Sequence, residues 1–252
     1  MYQEISQLLM YGDLEEDSIL AQMGELFGKY ETGEYNKTGL VRDINTQVKR
    51  ILKVATDYGF DDNLWHNYLT FFLMMSENPF SMTCEKVGAS DGSVNELVEN
   101  DFRIFKDLFD YDFGPIEKDL GINCFSQISN YKAIHKKDLM YNKNVSEKVR
   151  SLSKKLEAAK DEKEFFDAVT GFYKDYGVGM FGLNKAFRID DTPQGSFTFR
   201  AINNMDTVML DDLVGYEIQK KKLVDNTEAF VQGKKANNVL LFGDSGTGKS
   251  TS

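Results

Sequence analysis

Apolar residues recur at three- and four-residue intervals through most of the first 180 positions, a spacing that predicts amphipathic helices. Leu40, Ile44, Val48, Ile51, Ala55 and Tyr58 form one stripe, with Arg42, Asp43, Lys49, Arg50 and Lys53 between them. Gly59 supplies a C-terminal stop. From Asp61 to Ser76 the chain is apolar nearly all round, through Leu64, Trp65, Tyr68, Leu69, Phe72, Leu73 and Met75, which predicts a central buried helix. Asn78-Pro79 breaks that pattern. Ser93-Val94-Asn95-Glu96 has capping-box spacing and opens a helix striped by Leu97, Val98, Phe102, Phe105, Leu108 and Phe109. Gly114-Pro115 and Gly121 bound a shorter piece. Val145, Val149, Leu152 and Leu156 stripe a basic helix, and Asp161 with Glu164 caps the next, which buries Phe165, Phe166, Val169, Phe172, Tyr173 and Tyr176.

The period changes after Gly177-Val178-Gly179. Residues 186–190 and 196–202 alternate, separated by Asp191-Thr192-Pro193-Gln194-Gly195, which predicts a β-hairpin with a five-residue loop. Residues 203–206 form a linker. Residues 213–230 then predict a helix, and Val239-Leu240-Leu241-Phe242 a short buried strand. The expected organisation is a mainly α N-terminal domain over 1–180, a β-hairpin and linker over 181–205, and the first helix and strand of an α/β domain over 206–252.

The strand runs into Gly243-Asp244-Ser245-Gly246-Thr247-Gly248-Lys249-Ser250-Thr251, which matches G-x-x-x-x-G-K-[ST], the Walker A phosphate-loop pattern. Its glycines allow the backbone to curl so that successive N–H groups surround an anion. Lys249 is the point charge for the β- and γ-phosphates, and Ser250 the candidate Mg²⁺ ligand. A helix beginning near Lys249 is expected to aim its positive end at the same phosphates. The candidate phosphate-binding residues are therefore Gly243 to Thr251. Because the loop stands at the end of the chain, the expectation is the opening part of a longer nucleotide-binding protein, with no hydrolysis and little ATP affinity in this part alone.

Composition narrows the classes. A net charge of −10, from 40 acidic and 30 basic residues, disfavours nonspecific binding to nucleic acid or anionic membranes. Lys220, Lys221, Lys222, Lys234 and Lys235 nonetheless crowd the approach to the loop. Cys84 and Cys124 have neither disulfide-framework nor zinc spacing, and no signal peptide or membrane span is read, so a soluble cytoplasmic protein is expected.

The ordered series Leu210-Asp211-Asp212-Leu213-Val214-Gly215-Tyr216-Glu217, Gln219-Lys220, Asn226-Thr227, Ala229-Phe230, Gly233 and Ala236 to Leu241, followed by the loop, resembles the opening of an AAA+ ATPase module. More narrowly it resembles the bacterial ATP-binding family known as domain of unknown function 815. The hairpin with Ala186-Phe187-Arg188 resembles that family more weakly. The resemblance implies that Val214 and Gly215, with Tyr216 beside them, lie at the adenine. It also implies ATP and Mg²⁺ as cofactors, a homo-oligomer through the complete module, and hydrolysis coupled to remodelling an unidentified protein partner. No Walker B, sensor or arginine-finger residue is present. Two alternatives stay open: another phosphate-loop class such as a kinase or GTPase, or a helical partner-binding module for which the nucleotide is a switch.

Other constellations are weaker. Asp110 to Gly114 departs from a calcium loop in glycine position and lacks the closing glutamate. His66 is expected as a satisfied core or boundary histidine and His135 on a solvated face. The pairs Phe71-Phe72 and Phe165-Phe166 are expected in a core.

Overall fold

The computed structural model describes residues 1–89, 92–134, 141–192, 195–202 and 210–249. The chain is mainly helical, with a short two-stranded antiparallel hairpin, and divides into two compact units, Met1–Asn204 and Met205–Ser252.

The first unit carries α1 (Tyr2–Ile5), α2 (Ile19–Thr32), α3 (Lys37–Tyr58), α4 (Leu64–Met75), α5 (Pro79–Val87), α6 (Ser93–Phe109), α7 (Gly114–Leu120), α8 (Cys124–Ser129), α9 (Lys143–Ala158), α10 (Glu162–Tyr176) and α11 (Gly179–Leu183). The helix that is apolar all round is indeed central: α4 packs against α3, α6, α8, α9 and α11. Its indole Trp65 is buried, and Nε1 donates to the Leu108 carbonyl at 2.9 Å, so the one polar atom of that ring is satisfied. Phe113 stacks on Phe125 at 4.2 Å, and Phe27 meets both edge-on. Each such side chain contributes about 1.5–3 kcal/mol by leaving water. Phe71-Phe72 and Phe165-Phe166 pack in or against this core.

The helix termini follow local chemistry; they correct two expectations and bear out the Asp161 cap. Asn78-Pro79 starts α5 as well as ending α4. The Asn78 side chain accepts from Ser81 N and Ser81 Oγ from Asn78 N, with Pro79 in the first turn where its missing N–H costs nothing. The capping box expected at Ser93 is not formed: Gly92 is the N-cap of α6 and no side chain caps it. At α10, Asp161 accepts from Glu164 N at 2.8 Å, but the Glu164 carboxylate turns to Lys160 N at 2.9 Å and so caps the preceding residue. Asp112 closes its own turn on Gly114 N, and no group of three or more potential metal ligands occurs among the described residues.

Buried carboxylates tie segments together. Asp101 in α6 accepts backbone N–H bonds from Leu9, Met10 and Tyr11 at 2.9, 2.7 and 3.0 Å, fixing the loop between α1 and α2. Glu117 receives Ser126 N at 2.9 Å and its hydroxyl, which holds the start of α8. No helix among the described residues is long and apolar enough to cross a membrane.

The hairpin pairs β1 (Phe187–Asp191), one residue later than expected, with β2 (Phe197–Ala201), one residue shorter at each end than expected. Register places Phe187, Ile189, Phe199 and Phe197 on one face and Arg188, Asp190, Thr198 and Arg200 on the other. Arg200 reaches Asp190 through two nitrogens, at 2.6 and 3.2 Å. Phe181 of α11 lies 4.9 Å from Phe187 and 5.4 Å from Phe199, which anchors the hairpin to the helices.

Among its described residues the second unit has a 3₁₀ turn at Leu210–Asp212 and one helix, α12 (Glu217–Val231). That helix starts four residues later than the expected Leu213. Gly215 (φ 87°) and Tyr216 (φ 59°) are both left-handed, so helical backbone cannot pass through them. The strand expected at 239–242 is not formed among the described residues. A strand is defined by its ladder, and no segment among the described residues pairs with this one. The predicted linker 203–206 lies outside the described residues.

Candidate functional site

The sequence-predicted site residues fall on two segments of the second unit, Val214–Gly215 and Gly243–Lys249. Ser250 and Thr251, and with them the expected Mg²⁺ ligand, lie outside the described residues, as does His135. The two segments are brought together by three contacts. Lys220 Nζ, on the first turn of α12, donates to the Leu213 carbonyl at 2.9 Å and pairs with Glu217 at 2.8 Å, which fixes the backbone just before Val214. The Leu213 side chain then lies against Gly248. A Cβ at Gly248 would sit 2.8 Å from Leu213 Cδ2, the movable end of that side chain, whereas the φ of 77° itself favours glycine there. Farther along, Asn226 clamps Asn237: Nδ2 donates to its carbonyl and Oδ1 accepts its N–H, both at 2.9 Å. That clamp holds the lead into the loop against the side of α12.

Within the loop, Gly243, Gly246 and Gly248 all have positive φ. The Asp244 carbonyl is its hub. It accepts Thr247 Oγ1 at 2.8 Å and Lys249 Nζ at 2.5 Å, and the same amine lies 3.2 Å from Thr247 Oγ1. The lysine thus reaches back across the turn to the loop's own oxygens. Val214 is 95 % exposed and Tyr216 more than half exposed, so the segment before α12 presents an open apolar surface. Of the five lysines expected to crowd the approach, Lys220 is paired with Glu217 and Lys221 with Asp225, while Lys222, Lys234 and Lys235 have no ion pair among the described residues.

The Leu213–Gly248 contact and the Asn226 clamp were not foreseeable from periodicity. Their only trace in the sequence is a glycine inside the loop and an asparagine in mid-helix, neither of which names its counterpart.

Shifted titrations belong to the helical unit. Burial lowers the His66 pKa, partly opposed by the Phe109 carbonyl at 2.8 Å from Nε2 and by Glu157 at 3.7 Å from Nδ1. The expectation of a fully satisfied histidine holds for one nitrogen only, because Nδ1 is buried without a hydrogen-bond partner. Burial pushes the Cys84 thiol up to about 11, which makes it a poor nucleophile.

Residues 183–252 match the family model described as "Protein of unknown function (DUF815)". The match spans the hairpin, α12 and the loop, and bears out the resemblance to that family. No curated protein and no solved structure matches the chain.

Proposed function

We propose that the second unit is the opening part of an ATP-binding AAA+ module, in which Gly243 to Thr251 cradle the phosphates, Ser250 ligates Mg²⁺, and Val214 and Gly215 meet the adenine. The observation that carries this reading is the loop itself. A G-x-x-x-x-G-K-S sequence turns on three positive-φ glycines, with the Lys249 amine folded onto its oxygens and the Val214–Gly215 segment seated beside Gly248 through Leu213. These residues fit a nucleoside triphosphate. The amine is already inside the turn, bonded only to a carbonyl and a hydroxyl, and a phosphate oxygen is a stronger, charged acceptor for it. Lys249 would neutralise charge on the β- and γ-phosphates, and the glycines would let backbone N–H groups approach closely. MgATP would supply a transferable γ-phosphoryl group, with hydrolysis relying on residues that these positions do not include. The complete module would act as a homo-oligomer that remodels or switches a protein partner.

The test is MgATP binding and turnover by the full-length protein beside its Lys249→Ala variant. Binding and turnover that the variant lacks are expected. Absence of any Lys249-dependent binding would overturn the proposal. Binding without turnover would favour the second reading, a helical partner-binding unit governed by a nucleotide switch.

A further inference from the structure

The hairpin leaves a strand edge open. In an antiparallel pair, opposite residues alternate between exchanging backbone hydrogen bonds and facing each other without them. Ile202 N donates to the Ala186 carbonyl at 2.9 Å and Thr192 N to the Ser196 carbonyl at 2.8 Å, one at each end of the ladder. Counting inward through the register, the bonded pairs are Arg188–Arg200 and Asp190–Thr198. The N–H and C=O groups of Phe187, Ile189 and Asp191 therefore face away from β2, along the outer edge of β1. No strand among the described residues pairs with that edge. A two-stranded ribbon is marginal alone, and unpaired edge groups are a template for another strand. Its apolar face is open as well, with Ile189 62 % and Phe197 63 % exposed.

The side chains select the strand that fits. A second copy of β1, laid antiparallel along this edge on a two-fold axis at Ile189, sets Ile189 against its counterpart. Arg188 of each copy then stands opposite Asp190 of the other, and Phe187 opposite Asp191. All five residues of the strand pair, each outward-facing residue meets another, and the two apolar faces lie on one side. Arg188 has no ion pair among the described residues. Asp190, held by Arg200 within its own hairpin, keeps lone pairs for a second donor. Moving the axis to residue 188 or 190 opposes Arg188 to Arg188 or Asp190 to Asp190, and leaves three residues paired. A half-step shift sets outward backbone groups against inward ones and breaks the ladder. The same operation on the open edge of β2 puts Thr198 opposite Arg200 and gains no ion pair. Of the two edges, that of β1 alone is complementary in charge to itself.

We propose that the outer edge of β1 pairs with β1 of a second copy of this chain, forming a four-stranded antiparallel sheet on a two-fold axis at Ile189. The contact is isologous and closes on itself, so it makes a dimer and not a filament. It uses no residue of the phosphate loop or of the Val214–Gly215 segment, and it stands or falls apart from the nucleotide reading. Backbone bonds and the Ile189 contact supply the attraction, and the two Arg188–Asp190 pairs fix the register. A five-residue edge is a small interface, so the expected dissociation constant is about 10–100 μM.

Sedimentation equilibrium of the full chain, without nucleotide, reads the association. Ile189→Pro removes an outward N–H and spares the bonded pairs of the hairpin, while Arg188→Glu sets like charges opposite each other twice. Each should weaken self-association about tenfold and leave the thermal melting of the helices unchanged. Asp190→Lys alone should weaken it likewise. An equimolar mixture of Arg188→Glu and Asp190→Lys should associate again, because every charged pair is restored with its sign reversed. That exchange needs no proline, so it stays decisive where a proline melts the hairpin. Phe197→Pro makes the matching change on the open edge of β2 and should associate as the wild type does. A wild type that stays monomeric at about 500 μM would overturn the proposal and leave the edge to a different partner. Association unchanged in Arg188→Glu, or a mixture that fails to associate, would also overturn it. Equal loss in Phe197→Pro would overturn it in favour of the β2 edge.

Discussion

The two units spend their apolar residues in opposite ways. In the helical unit the stripes point inward, so that Leu64, Trp65, Leu69 and Leu73 of α4 are all buried. In the second unit α12 buries no residue, and Val239, Leu240, Leu241 and Phe242 are all exposed, Phe242 by 88 %. The first unit encodes its own core. The second encodes surfaces that require something packed on them, and it holds its shape through polar clamps and one Leu–Gly contact. A helix whose apolar side chains lie in water gains nothing from burial and depends on propensity and local bonds, which are marginal at this length.

The largest effect that could break this contrast is core deletion. Trp65→Ala should cost about 3–5 kcal/mol, read from urea unfolding followed by circular dichroism. Phe230→Ala and Phe242→Ala should stay within about 0.5 kcal/mol in the same assay. A large loss at Phe242 would mean that the exposed strand segment is packed after all, and the contrast would fail.

Next is Asp101→Ala. It removes a buried acceptor from three backbone N–H groups and should cost about 3 kcal/mol. Amide exchange should show residues 9–11 opening first. Asp101→Asn, which keeps one acceptor oxygen, should lose less. If the alanine variant were as stable as the wild type, the N-terminal loop would not be held by this carboxylate.

The His66 effect is smaller and depends on pH. Its folded pKa lies below the ordinary 6.5 because burial disfavours the charged ring. The unfolded chain therefore takes up this proton at higher pH than the folded one. The stability it contributes is complete above 6.5 and is lost as pH falls from 6.5 through the folded value. The Phe109 carbonyl, Glu157 and Asp110 favour the charged ring and so limit how far below 6.5 the window extends, while Lys106 opposes them. Chemical denaturation across pH 5–7 should show a decline in the wild type that is shallower in His66→Gln. Equal slopes would assign the decline to other groups.

How much of this was legible in the sequence follows the same division. The stripes of α3 and α4 could be read because burial on one face leaves a period, and Gly59 marked the end of α3 correctly. The start of α5 was missed because a proline signals both a stop and a first turn, and only the reciprocal Asn78–Ser81 bonds decide between them. Gly92 displaced the predicted cap at Ser93 because a helix can start without any side-chain cap. The segment 239–242 has the composition of a strand, but composition cannot supply the neighbour that completes a ladder. The loop was legible as a motif. Its seating against Leu213 was not, because a contact between residues thirty-five apart leaves no local pattern.

The smallest expected effect tests what replaces a core in the second unit. Asn226 offers its amide as both donor and acceptor to one residue, Asn237, and both bonds are exposed. Water can take over each bond, so Asn226→Ala should cost no more than about 1 kcal/mol and leave the unfolding of the helical unit unchanged. Its signature is local: faster amide exchange at Asn237 and its neighbours, with protection of α3 and α4 unaltered. Asn226→Asp should be worse than alanine, because its carboxylate replaces the donor with a charge facing the Asn237 carbonyl. If both variants left exchange at Asn237 untouched, the lead into the loop would be held by something other than this clamp. The second unit would then resemble the first more closely than its exposed side chains suggest.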